Sequence, residues 1–113
     1  MTTTPATERS PFVYASALAI DVATMKLVPE ADTIEHEIEV VLSRVAARLA
    51  AAGLGLEDVV KTTCYVREAS DVEEVAAGYA KAFPGQLPVT NTVVLGLAGN
   101  CRVQIDTVAA RRG

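Results

Sequence analysis

Two residues near the C-terminus, Gln104 and Asp106, carry the best candidate acid–base chemistry of this chain. Residues two positions apart in a β-strand point to the same side, so both side chains would face one surface. A partly buried aspartate can act as a general base, whereas a glutamine can orient a water but cannot take its proton near neutral pH. The alternative is that Asp106 pairs with Arg102 or with a Lys or Arg of a neighbouring subunit.

The other reactive residue types favour structural roles. His36 lies among glutamates on the polar side of a predicted helix, and we expect a solvated surface role for it, because a site histidine needs an orienting partner and a cleft. Without a secretory signal, Cys64 and Cys101 are predicted to be reduced thiols, Cys64 packing as a small hydrophobe and Cys101 lacking a nearby basic partner. No metal cluster, phosphate-binding glycine loop or nucleophile–base pair occurs in the sequence, so we expect no metal and no cofactor.

The composition favours a single globular domain over residues 1–113, with residues 1–11 as a flexible N-terminal segment. Half of the 113 residues are hydrophobic and only 4% are aromatic, so the core must consist of aliphatic side chains. The net charge of -4 argues against nucleic acid as a partner. The N-terminus does not resemble a signal peptide, and no apolar run reaches the roughly 18 residues that cross a bilayer, so we expect a cytoplasmic protein and no membrane partner.

These candidates must be positioned by alternating strands and helices. "FVYASALAI", residues 12–20, is a β-prone run, and "KLV", residues 26–28, is a short return strand. The next segment changes to a helical period, with a capping pair predicted at Asp32 and Glu35 and a left-handed stop at Gly53. Its apolar positions are Ile34, Ile38, Val41, Leu42, Val45 and Leu49. Its charged positions, predicted to lie mostly on the other faces, are Glu35, Glu37, Glu39, Arg44 and Arg48.

The second half of the chain predicts a strand, a helix and two further strands. Residues 59–68 alternate, with Val60, Thr62, Cys64 and Val66 on the buried side and Lys61, Thr63, Tyr65 and Arg67 on the other. A capping box of Asp71 and Glu74 is predicted at the N-terminus of the second helix, and Pro84-Gly85 is predicted to end it. Its apolar stripe is Val72, Val75, Ala76, Tyr79 and Phe83. The last two strands, joined across Gly99-Asn100, carry a hairpin signal.

The order of these elements has a consequence for assembly. Right-handed crossovers place both helices on one face of a single mixed sheet. The other face, rich in Val, Ile and Thr, then needs cover, so we expect an oligomer.

Several stretches together resemble the RidA (YjgF-like) family of small trimeric proteins. They are "FVYASALAI", "LAAAGLGLEDVVKTTCYVRE", "YAKAFPG", "LPVTNTVV" and "RVQIDTVAARR". The resemblance implies a chorismate-mutase-like α+β sandwich of order β-α-β-α-β-β, with two helices on one face of the mixed sheet. It also implies a homotrimer that closes into a central barrel, with small-molecule clefts between subunits. Typical members hydrolyse enamines and imines to ketones and ammonia.

The residues that match the family's ligand site are Ser16, Ala17, Tyr79, Thr90, Thr92 and Gln104. The resemblance assigns Thr90 to the position of an arginine that clamps the substrate carboxylate, and Gln104 to that of a water-positioning glutamate. Thr92 retains a backbone amide donor and Ser16 a hydroxyl, whereas Ala17 stands where the family has glycine. Ala76 replaces an asparagine of the second helix. The residues that match the family's ligand site are therefore mostly uncharged.

Three functions fit a ligand site whose residues are mostly uncharged. The first is hydrolysis of an imine, enamine or similar labile intermediate that lacks a carboxylate, with Gln104 and Asp106 as the catalytic candidates. The second is a non-catalytic trimer that binds a ligand or stabilises a complex. The third is a different reaction, such as a cyclisation or dehydration in a specialised pathway.

A common site for these residues depends on the predicted hairpin. A strict two-residue turn at Gly99-Asn100 would leave Thr90 and Thr92 facing away from Gln104 and Asp106. A three-residue or bulged loop would place all four side chains on one face, and this is the arrangement we predict.

Overall fold

The computed structural model describes residues 10–83, 85 and 87–111. Six strands and two α-helices form within these residues. The strands are β1 (Phe12–Leu18), β2 (Ile20–Asp21), β3 (Lys26–Leu27), β4 (Val59–Val66), β5 (Val89–Val94) and β6 (Val103–Ala110). The helices are α1 (Ile34–Ala50) and α2 (Val72–Lys81).

The main sheet has the strand order β1-β6-β4-β5. β6 pairs antiparallel with both β1 and β4, and β4 pairs parallel with β5. The core lies between this mixed sheet and the two helices, and Val45, Leu49 and Ile105 are fully buried there. The predicted α+β fold with both helices on one face is confirmed. We call this side the helix face and the other side the open face.

The open face is defined by the strand register. On it lie Tyr14 and Ser16 of β1, Gln104, Asp106 and Val108 of β6, Lys61, Thr63 and Tyr65 of β4, and Val89, Asn91 and Val93 of β5. Neither helix packs on this face, and Tyr14, the largest of its β1 residues, is 59% exposed. It carries both apolar and polar side chains, and one row across the strands, Ser16, Asp106, Thr63 and Asn91, is entirely polar.

Helix α1 forms as its sequence period dictates, and its six predicted apolar positions are all buried. Its cap differs from the prediction, because Thr33 rather than Asp32 is the N-cap and accepts a hydrogen bond from the amide of His36. Thr33 has the extended backbone that an N-cap requires. Gly53 adopts the expected left-handed conformation, with φ of +78°.

Glu37 is the main departure from the predicted polar face of α1. Its carboxylate is fully buried and accepts hydrogen bonds from the Arg102 amide, the Arg102 Nε and the Val103 amide, at 2.7, 2.7 and 3.1 Å. Arg102 also donates to the carbonyl of Ala31. This ion pair fastens the start of β6 to α1.

Helix α2 buries Val75 and Tyr79, and Phe83 is buried just beyond its end. Two details of the prediction are wrong: Ala76 is exposed, and Asp71 makes no side-chain cap. Because a 3-10 turn over Ala69–Asp71 leads into α2, Asp71 already has helical backbone angles and cannot adopt the extended N-cap geometry. Pro84, predicted to end the helix, lies outside the described residues, as do residues 1–9 of the predicted flexible N-terminal segment.

Strand β4 alternates as predicted from Thr62 onward, with Thr62, Cys64 and Val66 buried. Val60 is instead 44% exposed, and Val59 is buried in its place. The register with β6 shifts between Val59 and Lys61, and such a bulge reverses the side on which the preceding residue lies.

The predicted β5–β6 hairpin does not form. The two strands lie on opposite sides of β4, so the segment between them crosses the end of β4. Leu95 N donates to the carbonyl of Val66 on one side, and Arg67 N donates to the carbonyl of Arg102 on the other. Gly99 does occupy a turn, with φ of +60°, but a Cβ there would meet the Met25 carbonyl at 2.8 Å, so its neighbour is the β2–β3 turn.

Within the part of the chain that the structure describes, no helix is long and apolar enough to cross a membrane.

Candidate functional site

A hydrogen-bonded cluster of Ser16, Gln104 and Asp106 lies on the open face. The β1–β6 register places Ser16 directly opposite Asp106. Ser16 Oγ donates a hydrogen bond to Asp106 Oδ1, and Gln104 Nε2 donates to the same oxygen at 3.1 Å. Gln104 Nε2 also lies 3.4 Å from Ser16 Oγ. Three of the predicted site residues are therefore brought together.

Strand β4 completes the cluster on the other side of β6. Thr63 lies opposite Asp106, and Tyr65 lies opposite Gln104. The negative charge of Asp106, followed by desolvation, raises the pKa of the Tyr65 phenol above its ordinary value. Tyr65 therefore stays protonated near neutral pH and can serve as a hydrogen-bond donor beside the carboxylate.

A cavity of about 360 Å³ adjoins this cluster. Its lining combines one carboxylate, one ammonium group, hydroxyls and apolar side chains, from Tyr14, Ala15, Ser16, Lys61, Thr63, Asp106, Thr107 and Val108. Such a volume suits a small organic molecule. The alternation of β4 predicts that Lys61, Thr63 and Tyr65 face away from the core, but nothing in their spacing marks them as site residues.

A second polar group, on the helix face, contains Tyr79 and Thr90. The Tyr79 hydroxyl donates to Thr62 Oγ1 at 2.9 Å and lies 3.4 Å from Thr90 Oγ1, which itself donates to the Pro88 carbonyl at 2.9 Å. Burial raises the pKa of the Tyr79 phenol, which favours its protonated form. A cavity of about 150 Å³ borders this group and is lined by Cys64, Val75, Ala76, Tyr79, Ala80, Leu87, Thr90 and Thr92.

The prediction that Thr90, Thr92, Gln104 and Asp106 share one face is wrong. In the parallel β4–β5 pair, Thr90 lies opposite Thr62 and Thr92 opposite Cys64, both of which point to the helix face. Gln104 and Asp106 point to the open face. Since no β5–β6 hairpin exists, no loop length can bring the four side chains together within one chain.

Two further candidates are also placed by the structure. Ala17 is buried on the helix face opposite Ile105, one residue from Ser16, so its side chain lies in the core. Arg102 pairs with Glu37, so the alternative in which it pairs with Asp106 of the same chain is wrong. Asp106 thus remains a carboxylate held by neutral donors.

The comparisons with known proteins agree with this architecture. Residues 3–111 match the family described as Endoribonuclease L-PSP. The chain belongs to this family. An Arabidopsis thaliana relative named Reactive Intermediate Deaminase A, chloroplastic, is 30% identical over 103 residues, which cover 86% of the chain and 55% of the relative. A RutC family protein of Synechocystis is 35% identical over 97 residues, or 84% of the chain and 74% of that protein.

The solved structures agree as well. The YjgF gene product of E. coli superposes on this L-PSP family member with a TM-score of 0.77 at 25% identity, covering 91% of the chain and 83% of that structure. The predicted RidA (YjgF-like) membership is confirmed. The chain spans 55% of the Arabidopsis relative and 63% of a relative from Lactococcus lactis.

The remaining reactive side chains of this L-PSP family member lie away from both groups or inside the core. His36 is exposed on α1 and pairs with Asp32, whose hydrogen bond raises the pKa of the imidazole. Both cysteines are buried, and desolvation raises the pKa of Cys64 to about 11. Among the described residues, no three His, Cys, Asp or Glu side chains are arranged to hold a metal ion.

Proposed function

We propose that this protein binds and hydrolyses a small imine or enamine at the Ser16–Gln104–Asp106 cluster. The observation that carries the proposal is a carboxylate beside a ligand-sized cavity, held in place by two neutral donors. Membership of the family, together with a relative named for reactive-intermediate deamination, supports this reaction class.

The reaction needs one base that can also return its proton. Water attacks the carbon of the protonated C=N bond while Asp106 takes a proton from that water, and the π electrons move to nitrogen. Asp106 then returns the proton to the nitrogen of the carbinolamine. The C–N bond then breaks with its electron pair leaving on nitrogen, Asp106 takes the hydroxyl proton and passes it to the departing ammonia, and a carbonyl compound and an ammonium ion result. Gln104 orients the water, and Ser16 fixes the carboxylate.

The complete site in this proposal lies between copies of the chain. The open-face cluster of one copy meets the Tyr79, Thr90 and Thr92 group of a neighbour in a homotrimer. An intersubunit cleft would reconcile the family's site positions with their separation on two faces of one sheet. Light scattering is expected to report a trimer at micromolar concentration, and a monomer would contradict this arrangement.

The substrate in this proposal lacks a carboxylate next to its C=N bond. Thr90 supplies hydroxyl and backbone groups but no charge, and an arginine–carboxylate contact contributes roughly 1.5–3 kcal/mol per charged hydrogen bond. The protein's two buried free thiols suit a reducing compartment, so we place the reaction in the cytoplasm.

The test compares imines generated in situ from simple amines by an amine oxidase with imines generated from amino acids by an amino-acid oxidase. We expect faster carbonyl release for the amine-derived imines. Asp106→Asn should lower that acceleration by about 10²–10⁴-fold, the usual contribution of a general base. Glu73→Gln, which changes an exposed carboxylate of α2, serves as the matched control. An Asp106→Asn variant as active as the control would refute the assignment.

Binding without turnover is the second candidate, and the surroundings of Asp106 favour it. Two neutral donors hold the carboxylate in place beside the cavity, where it can bind a cationic ligand without any reaction following. In that case the wild-type protein accelerates neither class of imine, while ligand affinity still depends on Asp106.

A further inference from the structure

The geometry points to Lys61 as the residue that binds an acidic group of the ligand, at a position remote from the C=N bond. The inference rests on the proposed function, and it adds the class of substrate: a small carbonyl-derived imine that carries a distant carboxylate. Thr90, at the opposite side of the sheet, cannot supply this charge.

Lys61 lies in the same cavity as Asp106 but not beside it. It is opposite Val108 on β6, and Tyr14 is opposite Val108 on the other side. Asp106 is two residues along β6, which makes Lys61 and Asp106 diagonal neighbours with Cα atoms roughly 7–8 Å apart. A ligand lying over Val108 therefore meets a carboxylate near one end and an ammonium group near the other.

The Lys61 ammonium is available for this contact. Within the described residues, the side chain of Lys61 makes no hydrogen bond or ion pair, although four ion pairs form elsewhere. Asp106, the carboxylate of the same cavity, accepts hydrogen bonds from Ser16 and Gln104 instead. Lys61 thus presents three unused donors to the cavity.

Assembly would make an anionic partner for Lys61 a requirement. Asp106 is the one carboxylate on the open face of the described strands. If copies of the chain cover this face, an unpaired ammonium becomes costly, because a buried charge requires a partner. The ligand can bring the missing anion. The rival partner is Asp106 of a neighbouring copy, which the experiment below distinguishes.

The two charges also set where the acidic group must be on the substrate. A carboxylate attached directly to the C=N carbon would lie beside Asp106, and like charges repel. A carboxylate several bonds away reaches Lys61 and avoids that repulsion. The arrangement therefore selects against imines of common amino acids without excluding acidic molecules.

Stable carbonyl compounds test the recognition separately from catalysis. Levulinate has two methylene groups between its ketone and its carboxylate, methyl propyl ketone is a neutral analogue of the same chain length, and pyruvate carries the carboxylate next to the ketone. Calorimetric or NMR titration of the wild-type protein should show levulinate binding about tenfold or more tighter than the other two compounds, the effect of one charge-assisted hydrogen bond.

Variants assign that preference to Lys61. Lys61→Met should bring the ratio of the levulinate and methyl propyl ketone affinities to near one, and Lys61→Arg should retain most of it. Lys81→Met is the matched control, because Lys81 lies on the surface near Glu35. An unchanged ratio in Lys61→Met, or no levulinate preference in the wild type, overturns the inference.

The outcomes separate this inference from the proposed function. Turnover of amine-derived imines without levulinate preference leaves the function standing and removes the role of Lys61. If levulinate preference depends on Lys61 but no imine is turned over, the role of Lys61 stands and the proposed function is removed. Loss of the oligomer in Lys61→Met with an unchanged affinity ratio identifies the neighbouring Asp106 as the partner, and also overturns the inference.

Discussion

Replacement of Glu37 by glutamine should destabilise this protein more than any other isosteric change on α1. The fully buried carboxylate accepts from three donors: Oε2 from the amides of Arg102 and Val103, and Oε1 from the Arg102 guanidinium. The glutamine side chain would offer one acceptor oxygen, so its NH₂ group must face at least one donor. The partly buried guanidinium of Arg102 would at the same time lose its counter-ion.

The magnitude follows from the cost of breaking a buried pair, about 3–5 kcal/mol. A domain of this size has a free energy of unfolding of about 5–15 kcal/mol, so the variant would lose a large part of it. The corresponding fall in melting temperature is on the order of 10–20 °C. Glu35 is exposed, and its Oε2 lies 3.6 Å from Lys81 Nζ. Glu35→Gln should therefore lower the free energy of unfolding by no more than about 1 kcal/mol.

Urea unfolding followed by circular dichroism measures both variants, at one protein concentration because assembly contributes to stability. A double-mutant cycle with Arg102→Met should give a coupling of roughly 0.5–3 kcal/mol between Glu37 and Arg102. If Glu37→Gln unfolds at the same urea concentration as Glu35→Gln, the buried ion pair does not fasten β6 to α1 as inferred.

Four further outcomes are expected. Tyr79→Phe should cost about 1–2 kcal/mol in urea unfolding, because the buried Thr62 hydroxyl loses its donor. The Cys64 thiol, whose pKa rises from 9.0 to about 11, should resist thiol reagents at pH 8 until the protein unfolds. Since the unfolded chain ionises this thiol first, its contribution to stability is complete below pH 9 and should fall as the pH rises toward 11. Thr90→Arg combined with Gln104→Glu should raise turnover of amino-acid-derived imines at least about tenfold, as one charged contact allows. No gain would contradict the site assignment.

Local physics made much of the fold predictable. The period of α1 and the stop at Gly53 depend on neighbouring residues alone, and both are present as expected. Glu37 could not be found in this way, because its burial depends on a partner 65 positions away, at the start of β6. The prediction that Val60 is buried was wrong for a related reason. The bulge that turns Val60 outward arises from the pairing of β4 with β6.

The site was harder to predict than the fold, because it depends on which strands are neighbours. A Gly-Asn turn reverses the chain wherever it occurs, but it does not specify that the strands on either side pair with each other. Here β5 and β6 both pair with β4 and lie on its two sides. Their registers with β4 put Thr90 and Gln104 on opposite faces of one sheet. If these two residues address one ligand, they must come from different copies of the chain. Mixed assemblies of the single variants Thr90→Arg and Gln104→Glu should then show part of the gained turnover, although neither variant alone does. Activity in the double variant when it is held monomeric by dilution would show that a single chain suffices.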